Sequence, residues 1–202
     1  MEHLASELIA FIKANPGWSI LVVAVTAFGE SFAFLSLLFP GTAVLLAAGG
    51  LVAVGAIPFF PTAVAAIIGA VLGDAISFWL GQKFGPLLPR VWPFRKNPAM
   101  LKRGIEFFHR YGSASVFIGR FFGPVRAIIP LAAGMMRMPP LHFYIANIAS
   151  AVVWAPALLS GALIVRMIFS SSYADAALLA IAAAAMVLAV IVYWAKRRIR
   201  EG

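Results

Sequence analysis

Four ionisable side chains lie inside stretches of the sequence that are otherwise apolar: Glu30, Asp74, Arg120 and Arg126. At the centre of a membrane helix, an aspartate or an arginine costs about 2.5 to 3.5 kcal/mol on insertion scales. A chain keeps such charges where they pair with one another, reach water or take part in function. Two acids and two bases in one small protein therefore predict that these four charges compensate one another in a shared buried site.

The two arginines are suited to binding a phosphate group, because the planar guanidinium donates two hydrogen bonds in a fixed fork. On an unbroken helix, Arg120 and Arg126 would point about 120° apart. Pro124 lies between them and removes a helical hydrogen bond, and the resulting kink could bring both guanidiniums to one place. The alternative is a structural network of ion pairs that only closes the helical bundle.

Other polar candidates carry weaker signals. Asn147 and Trp154 are seven residues apart and so share one helix face, where they either line a groove between segments or simply pack. The three histidines are scattered and have no carboxylate at a metal-binding spacing. We therefore expect neither a metal nor a cofactor.

The composition requires a membrane environment for most of the chain. Of its 202 residues, 63% are hydrophobic and 11% are charged, and the mean hydropathy is +0.98. Soluble domains have about 25% charged residues. Between Trp18 and Gln82 the charged residues are Glu30 and Asp74. The sequence predicts an all-α integral membrane protein with a single membrane domain.

The net charge of +9 is concentrated in two places. Residues 83–110 contain seven basic residues and one acid, and residues 196–202 contain four more basic residues. Both clusters flank apolar segments, which is the pattern of cytoplasmic loops and tails. We therefore place both in the cytoplasm and expect anionic lipid headgroups, not nucleic acid, as their partners.

This placement restricts the path of the chain. Transmembrane helices are predicted over 62–82, 141–165 and 175–195. If 112–136 also spanned the membrane, the basic C-terminus would lie outside. Glycines, prolines and two arginines interrupt 112–136, so a re-entrant hairpin, which enters and leaves on one side, fits better.

The first half of the chain has a similar interrupted segment at 18–57, broken near Phe39-Pro40-Gly41. In each half, a broken apolar stretch precedes a helix that begins near prolines. Paired broken segments at corresponding places are typical of inverted repeats, with the binding site between them. The alternative is chance similarity between two stretches rich in alanine, glycine and leucine.

Two amphipathic helices are predicted at the membrane surface. Residues 1–16 have a periodic apolar face and acids where a signal peptide has basic residues, so we expect an interfacial helix. An extension of the first membrane helix is the alternative. In the connector, Asn97-Pro98 begins a second helix with the apolar stripe Leu101, Ile105 and Phe108. Cysteine is absent, so thiol chemistry and disulfides are excluded.

Several motifs together resemble the DedA family over about residues 15–165. They are Glu30-Ser31, Phe39-Pro40-Gly41, Gly73-Asp74-Ala75-Ile76-Ser77-Phe78-Trp79-Leu80-Gly81 with Gly85, Phe107-Phe108-His109-Arg110-Tyr111-Gly112, Gly119-Arg120-Phe121 with Pro124, Arg126 and Pro130, and the later Asn147 and Trp154.

The resemblance implies a multi-pass protein of the bacterial inner membrane with two re-entrant hairpins facing each other. Relatives are linked to lipid scrambling, to recycling of undecaprenyl phosphate and to phospholipid translocation. The family uses an acid matching Glu30 and arginines matching Arg120 and Arg126. Several members have an aspartate where this chain has Thr42, which puts proton-motive coupling through a second hairpin acid in doubt here, unless Asp74 takes over that role.

We therefore predict a lipid translocase for a phosphate-headgroup lipid, undecaprenyl phosphate or a phospholipid. Arg120 and Arg126 would bind the phosphate, Glu30 and Asp74 would serve as charge partners or a proton relay, and Thr42, Asn147 and Trp154 would line the groove. The alternative is a proton-coupled transporter of a small cation or drug. A phosphatase is disfavoured because the sequence lacks a nucleophile constellation, so we expect no enzyme. The sequence is compatible with a homo-oligomer.

The predicted topology is testable because cysteine can be introduced freely. We expect an impermeant maleimide on intact cells to label Tyr173→Cys and to spare Lys96→Cys and Arg198→Cys, which we place in the cytoplasm. The same reagent on lysed cells is the control for accessibility. Labelling of Arg198→Cys from outside would contradict the parity of crossings and with it the second hairpin.

Overall fold

The computed structural model describes residues 14–36, 41–90, 94–122 and 126–168, with side chains up to residue 161. The predicted segments 175–195 and 196–202, and the first thirteen residues of 1–16, lie outside the described residues. In the described ranges, the regular elements are helical. In chain order they are α1 (Pro16–Ser31), α2 (Gly41–Ala53), α3 (Phe59–Phe84), a 3-10 helix (Gly85–Arg90), α4 (Pro98–Tyr111), α5 (Ala114–Gly119), α6 (Ile129–Met135) and α7 (Pro140–Ile168).

Two long helices, α3 and α7, form the axis of the fold. They have 26 and 29 residues, or about 40 Å each, which exceeds the roughly 30 Å of a bilayer core. Among the described residues, these two are long and apolar enough to cross a membrane. They cover the segments predicted at 62–82 and 141–165, with a few more residues at each end.

The two long helices run antiparallel. Near the C-terminal end of α3, the ring of Phe78 stacks on that of Phe143 near the start of α7, with 4.0 Å between centroids. Farther along, the side-chain amide of Asn147 donates to the carbonyl of Val71 at 3.1 Å. The apolar core beside the N-terminal half of α3 contains Leu159, well down α7. Basic residues follow α3, so the C-terminal end of α3 and the start of α7 lie at the connector side.

Helices α1 and α2 form a helical hairpin against the other end of this pair. α1 runs parallel to α3 and approaches it closely, because Gly69 and Gly73 have no side chains to separate the two backbones. α2 returns, and Gly49 lies directly against the backbone of Leu159 on α7. Val23, in the middle of α1, and Ile57, after the end of α2, share one core with Ala63. The open end of this hairpin, where α1 begins and α2 ends, therefore lies on the side of the N-terminal half of α3.

Helices α5 and α6 form a second, shorter hairpin. They have six and seven residues, or about 10 Å each, so neither helix is long enough to span a membrane. Phe108 before α5 and Met138 after α6 pack in the same apolar cluster as Phe78 and Phe143. Both ends of this hairpin therefore lie beside the C-terminal end of α3, opposite to the first hairpin.

The basic connector packs across the second hairpin. It forms a 3-10 helix over Gly85–Arg90 and then α4. Leu101 and Gly104 on α4 are buried, while Lys102 and Arg103 are exposed, so α4 is amphipathic as its sequence indicates. Leu101 shares a core with residues from both hairpins, Ala33, Ala127, Ile128 and Leu131 among them.

The fold depends on glycines at which two backbones meet. A Cβ on Gly134 of α6 would collide with the carbonyl oxygen of Phe78 on α3, whereas Gly50 in α2 has no atom within 4 Å of that position. We predict that Gly134→Ala lowers the free energy of unfolding by about 1–3 kcal/mol through overpacking.

The matched control is Gly50→Ala, which we expect to be neutral or to stabilise by about 0.5–1 kcal/mol, because alanine favours helix more than glycine does. Unfolding in detergent of both variants and of the wild type measures the difference. Equal stability of the two variants would contradict the close contact between α3 and α6.

Candidate functional site: a buried cluster of two arginines and two acids

The two hairpins meet beside the middle of α3, and the four charges predicted from the sequence come together there. Arg120 pairs with Asp74, and Arg126 pairs with Glu30. The paired residues are 46 and 96 positions apart in the sequence. The cluster joins three parts of the fold: Glu30 belongs to the first hairpin, Asp74 to α3, and both arginines to the second hairpin.

The helix that precedes the two arginines ends before either of them. α5 ends at Gly119, so Arg120 already lies in a turn that continues through Phe122. The 120° divergence of an unbroken helix therefore does not apply. Pro124, which we expected to provide the kink, lies outside the described residues.

Arg120 is held by the two long helices. Its Nη2 donates to the carboxylate of Asp74 on α3 and to the side-chain oxygen of Asn147 on α7. Its Nε donates to the hydroxyl of Ser150 at 2.8 Å. Asn147 and Ser150 are fully buried, and Asn147 is itself held by the carbonyl of Val71. This half of the cluster is a dense network of hydrogen bonds.

Arg126 is held by the tip of the other hairpin. Its Nη1 donates to Oε1 of Glu30 at 3.0 Å, and its Nη2 donates to the hydroxyl of Ser31 at 3.3 Å. Thr42, at the start of α2, donates its hydroxyl hydrogen to the same Oε1 of Glu30. Thr42 therefore ties the carboxylate to its own hairpin while Arg126 ties it to the opposite one.

Trp154 on α7 is the platform that both guanidiniums share. The Cζ of Arg126 lies 4.2 Å from the centroid of the ring, and that of Arg120 lies 5.9 Å from it. A cation within about 6 Å of an aromatic face is attracted by the negative face of the ring. The ring therefore helps two like charges to lie close together in a buried place.

Two buried polar atoms of the cluster have no hydrogen-bond partner: Oε2 of Glu30 and Nη1 of Arg120. A Cβ on Gly41 would lie 2.6 Å from Oε2, so the absence of a side chain there leaves room for the carboxylate. Each unpartnered atom is one acceptor or donor that a polar ligand or water could satisfy.

All seven residues that the sequence singled out lie in this cluster, but their roles stay predictions. Glu30, Asp74, Thr42, Asn147 and the two arginines are joined by hydrogen bonds, and Trp154 stacks on Arg126. Ser31 stood in a quoted motif without a role, and Ser150 was missed. Ser150 falls on the helix face that Asn147 and Trp154 define, and this spacing could have identified it. Within the described ranges, no group of three or more acidic or histidine residues is arranged to hold a metal.

Residues 39–163, more than half of the chain, match the family model of the VTT domain. This range contains every residue of the cluster except Glu30 and Ser31. No solved structure matches the chain.

The sequence is 37% identical over 147 residues to the inner membrane protein YabI of Escherichia coli (strain K12), which covers 72% of this chain and 58% of that protein. It is 32% identical over 153 residues to an uncharacterized membrane protein of Buchnera aphidicola subsp. Schizaphis graminum, with 76% and 61% covered. The chain thus spans about three fifths of the length of these two relatives. Since the VTT domain is the domain of the DedA family, the chain is a bacterial membrane protein that belongs to the DedA family.

Proposed function

We propose that this protein is a lipid translocase that moves a phosphate-headgroup lipid, undecaprenyl phosphate or a phospholipid, across the cytoplasmic membrane. It would carry the lipid without making or breaking covalent bonds. The observation that supports this most is the convergence of Arg120 and Arg126 at the place where two opposed helical hairpins meet.

The proposed path of the chain follows from the ends of the hairpins. The basic connector, which we place in the cytoplasm, adjoins the C-terminal end of α3. The second hairpin begins and ends at that side, and the first begins and ends at the other. In a membrane, they would be re-entrant hairpins from opposite faces, which is the inverted-repeat arrangement with a central site.

The chemistry of the cluster favours an anionic headgroup. A guanidinium fork matches the oxygens of a phosphate in a bidentate geometry. The lipid tail would stay in hydrocarbon while the headgroup crosses between the hairpin tips. The two acids pair with the arginines, so that neither arginine is left as an uncompensated buried charge before the lipid binds.

The same pairing disfavours the alternative of a cation or drug carrier. Such a carrier needs a carboxylate that is free to bind the cation. In the described part of the chain, both membrane-embedded carboxylates are engaged by arginine, and position 42 is a threonine. A cation would have to displace a guanidinium, as a phosphate would have to displace a carboxylate. The phosphate is favoured because Nη1 of Arg120 can donate to it without breaking a bond, whereas position 42 offers no further carboxylate to a cation.

The first prediction from this proposal concerns the geometry of the donors. Lysine keeps the charge of Arg126 but is a point donor and cannot form the fork. We expect Arg126→Lys to stay folded and to bind a lipid phosphate about tenfold more weakly or worse, because a hydrogen bond to a charged group contributes about 1.5–3 kcal/mol. The measurement is lipid-phosphate affinity in nanodiscs.

Arg103→Lys is the matched control, since Arg103 is an exposed residue on α4 that undergoes the same substitution. Its affinity should equal that of the wild type. Equal affinities of all three proteins, or binding that does not depend on the phosphate, would leave the proposed translocase without its site.

The second prediction concerns the acid of the first hairpin. We expect Glu30→Gln to impair transport more than folding, because neutralising Glu30 removes the resting partner that must reclaim Arg126 from the lipid. Transport is measured in proteoliposomes as loss of a fluorescent lipid phosphate from the leaflet that a membrane-impermeant quencher reaches. Expression should stay near that of the wild type, and thermal stability should fall less than transport does, because glutamine keeps an oxygen that can accept from Arg126 and Thr42. A variant that fails to accumulate would show that Glu30 is structural.

A further inference from the structure

The two arginines of the cluster are held in unequal ways. Arg120 donates to the carboxylate of Asp74 and to the hydroxyl of Ser150. It also donates to two oxygens of Asn147, one in the side chain and one in the backbone. Arg126 has one carboxylate oxygen and one hydroxyl as hydrogen-bond acceptors, from Glu30 and Ser31. The side chains of the first ion pair are 2% and 7% exposed, and those of the second are 11% and 9% exposed.

The partners of the two arginines also belong to different parts of the fold. All acceptors of Arg120 lie on α3 and α7, the two long helices. Both acceptors of Arg126 lie at the end of α1, in the opposite hairpin. Releasing Arg120 would break the bonds between the tip of the second hairpin and the two long helices, whereas releasing Arg126 would break the bonds between the two hairpin tips.

The fork of Arg126 is divided between two partners. Nη1 contacts Oε1 of Glu30, and Nη2 contacts the hydroxyl of Ser31 at a long 3.3 Å, while Oε2 of Glu30 accepts no hydrogen bond. One phosphate could accept from both nitrogens at once, which is the stronger arrangement. The exchange would leave the guanidinium on the face of Trp154 and Glu30 bonded to Thr42.

Arg120 offers a different contribution to a ligand. Its Nη1 is buried and has no acceptor, so it can donate to a phosphate without breaking any bond that Arg120 already makes. Exchange at its other nitrogens would have to displace Asp74, Asn147 and Ser150 together.

We propose that the two arginines divide the work: Arg126 exchanges Glu30 and Ser31 for the lipid phosphate, and Arg120 stays bonded to Asp74, Asn147 and Ser150 throughout. Glu30 is thus a competitor that occupies the phosphate position in the empty protein. This inference rests on the proposed function and assigns specificity for the phosphate to one exchangeable guanidinium fork.

Two matched hydroxyl deletions test the division of work. Ser31→Ala removes an acceptor of Arg126, and Ser150→Ala removes one of Arg120. The probe is dodecyl phosphate, titrated into the detergent-solubilised protein, with a neutral dodecyl glycoside as the control amphiphile. We expect Ser31→Ala to bind dodecyl phosphate about threefold more tightly, because a competing hydrogen bond is gone. Ser150→Ala should lower the thermal stability and should not raise the affinity.

Glu30→Gln extends the same test to the charged competitor. We expect about tenfold tighter binding of dodecyl phosphate, since the lost competitor is a charge-assisted hydrogen bond. Unchanged affinity in Glu30→Gln, or an increase in Ser150→Ala as large as that in Ser31→Ala, would overturn the division of work.

A measurement without any ligand separates this inference from the proposed function. Phenylglyoxal modifies accessible guanidiniums, and mass spectrometry of peptides assigns the modified positions. In the folded protein we expect modification of Arg126, faster in Glu30→Gln, and no modification of Arg120 before unfolding. Equal rates at both arginines would refute the asymmetry whatever the protein transports. Unequal rates together with no binding of dodecyl phosphate above the neutral control would refute the phosphate exchange and the proposed function instead.

Discussion

Burying charge is the constraint on which the arrangement of this protein depends. Each ionised side chain in an apolar bundle must find an opposite charge or a set of hydrogen bonds, since an unpaired one would be strongly destabilising. Here the partners come from segments far apart in the sequence, so the ion pairs form only when both hairpins and α3 are in place. The chemistry of the cluster and the assembly of the fold are therefore coupled.

The close contacts between helices serve the same constraint. Short side chains such as Asp74 and Ser31 reach their partners only if the backbones are near. Glycines on α3 allow α1 and α6 to approach it until carbonyl oxygens contact the glycine Cα positions. Small residues have this role in membrane bundles, where packing replaces the hydrophobic effect as the source of association. The glycines set how closely each hairpin approaches α3, and this close approach lets the charges at the hairpin tips meet.

The sequence predicted the long helices and the members of the cluster well, for physical reasons. Long apolar runs specify helices such as α3, and the cost of buried charge identifies Glu30, Asp74 and the arginines without any structure. The sequence could not predict which arginine pairs with which acid, because the pairing depends on how closely the hairpins approach α3 and on where α5 ends. Ser150 was missed since serines in membrane helices usually bond to their own backbone. Ser150 does so here, donating to the carbonyl of Asn147, and in addition accepts from Arg120.

Thr42 fits the charge balance of the cluster. With two arginines and two acids, the described cluster is neutral when it is empty, which makes it compatible with an apolar surrounding. An acid at position 42 would lie against Oε1 of Glu30 and would add a negative charge where both arginines are already engaged. Threonine instead supplies a hydroxyl hydrogen to that oxygen. If a phosphate binds as proposed, it adds the negative charge that position 42 does not carry, and protonation of one of the two carboxylates would restore the balance. Of the two acids, Glu30 is the one that keeps a hydrogen bond, donated by Thr42, when it gives up Arg126.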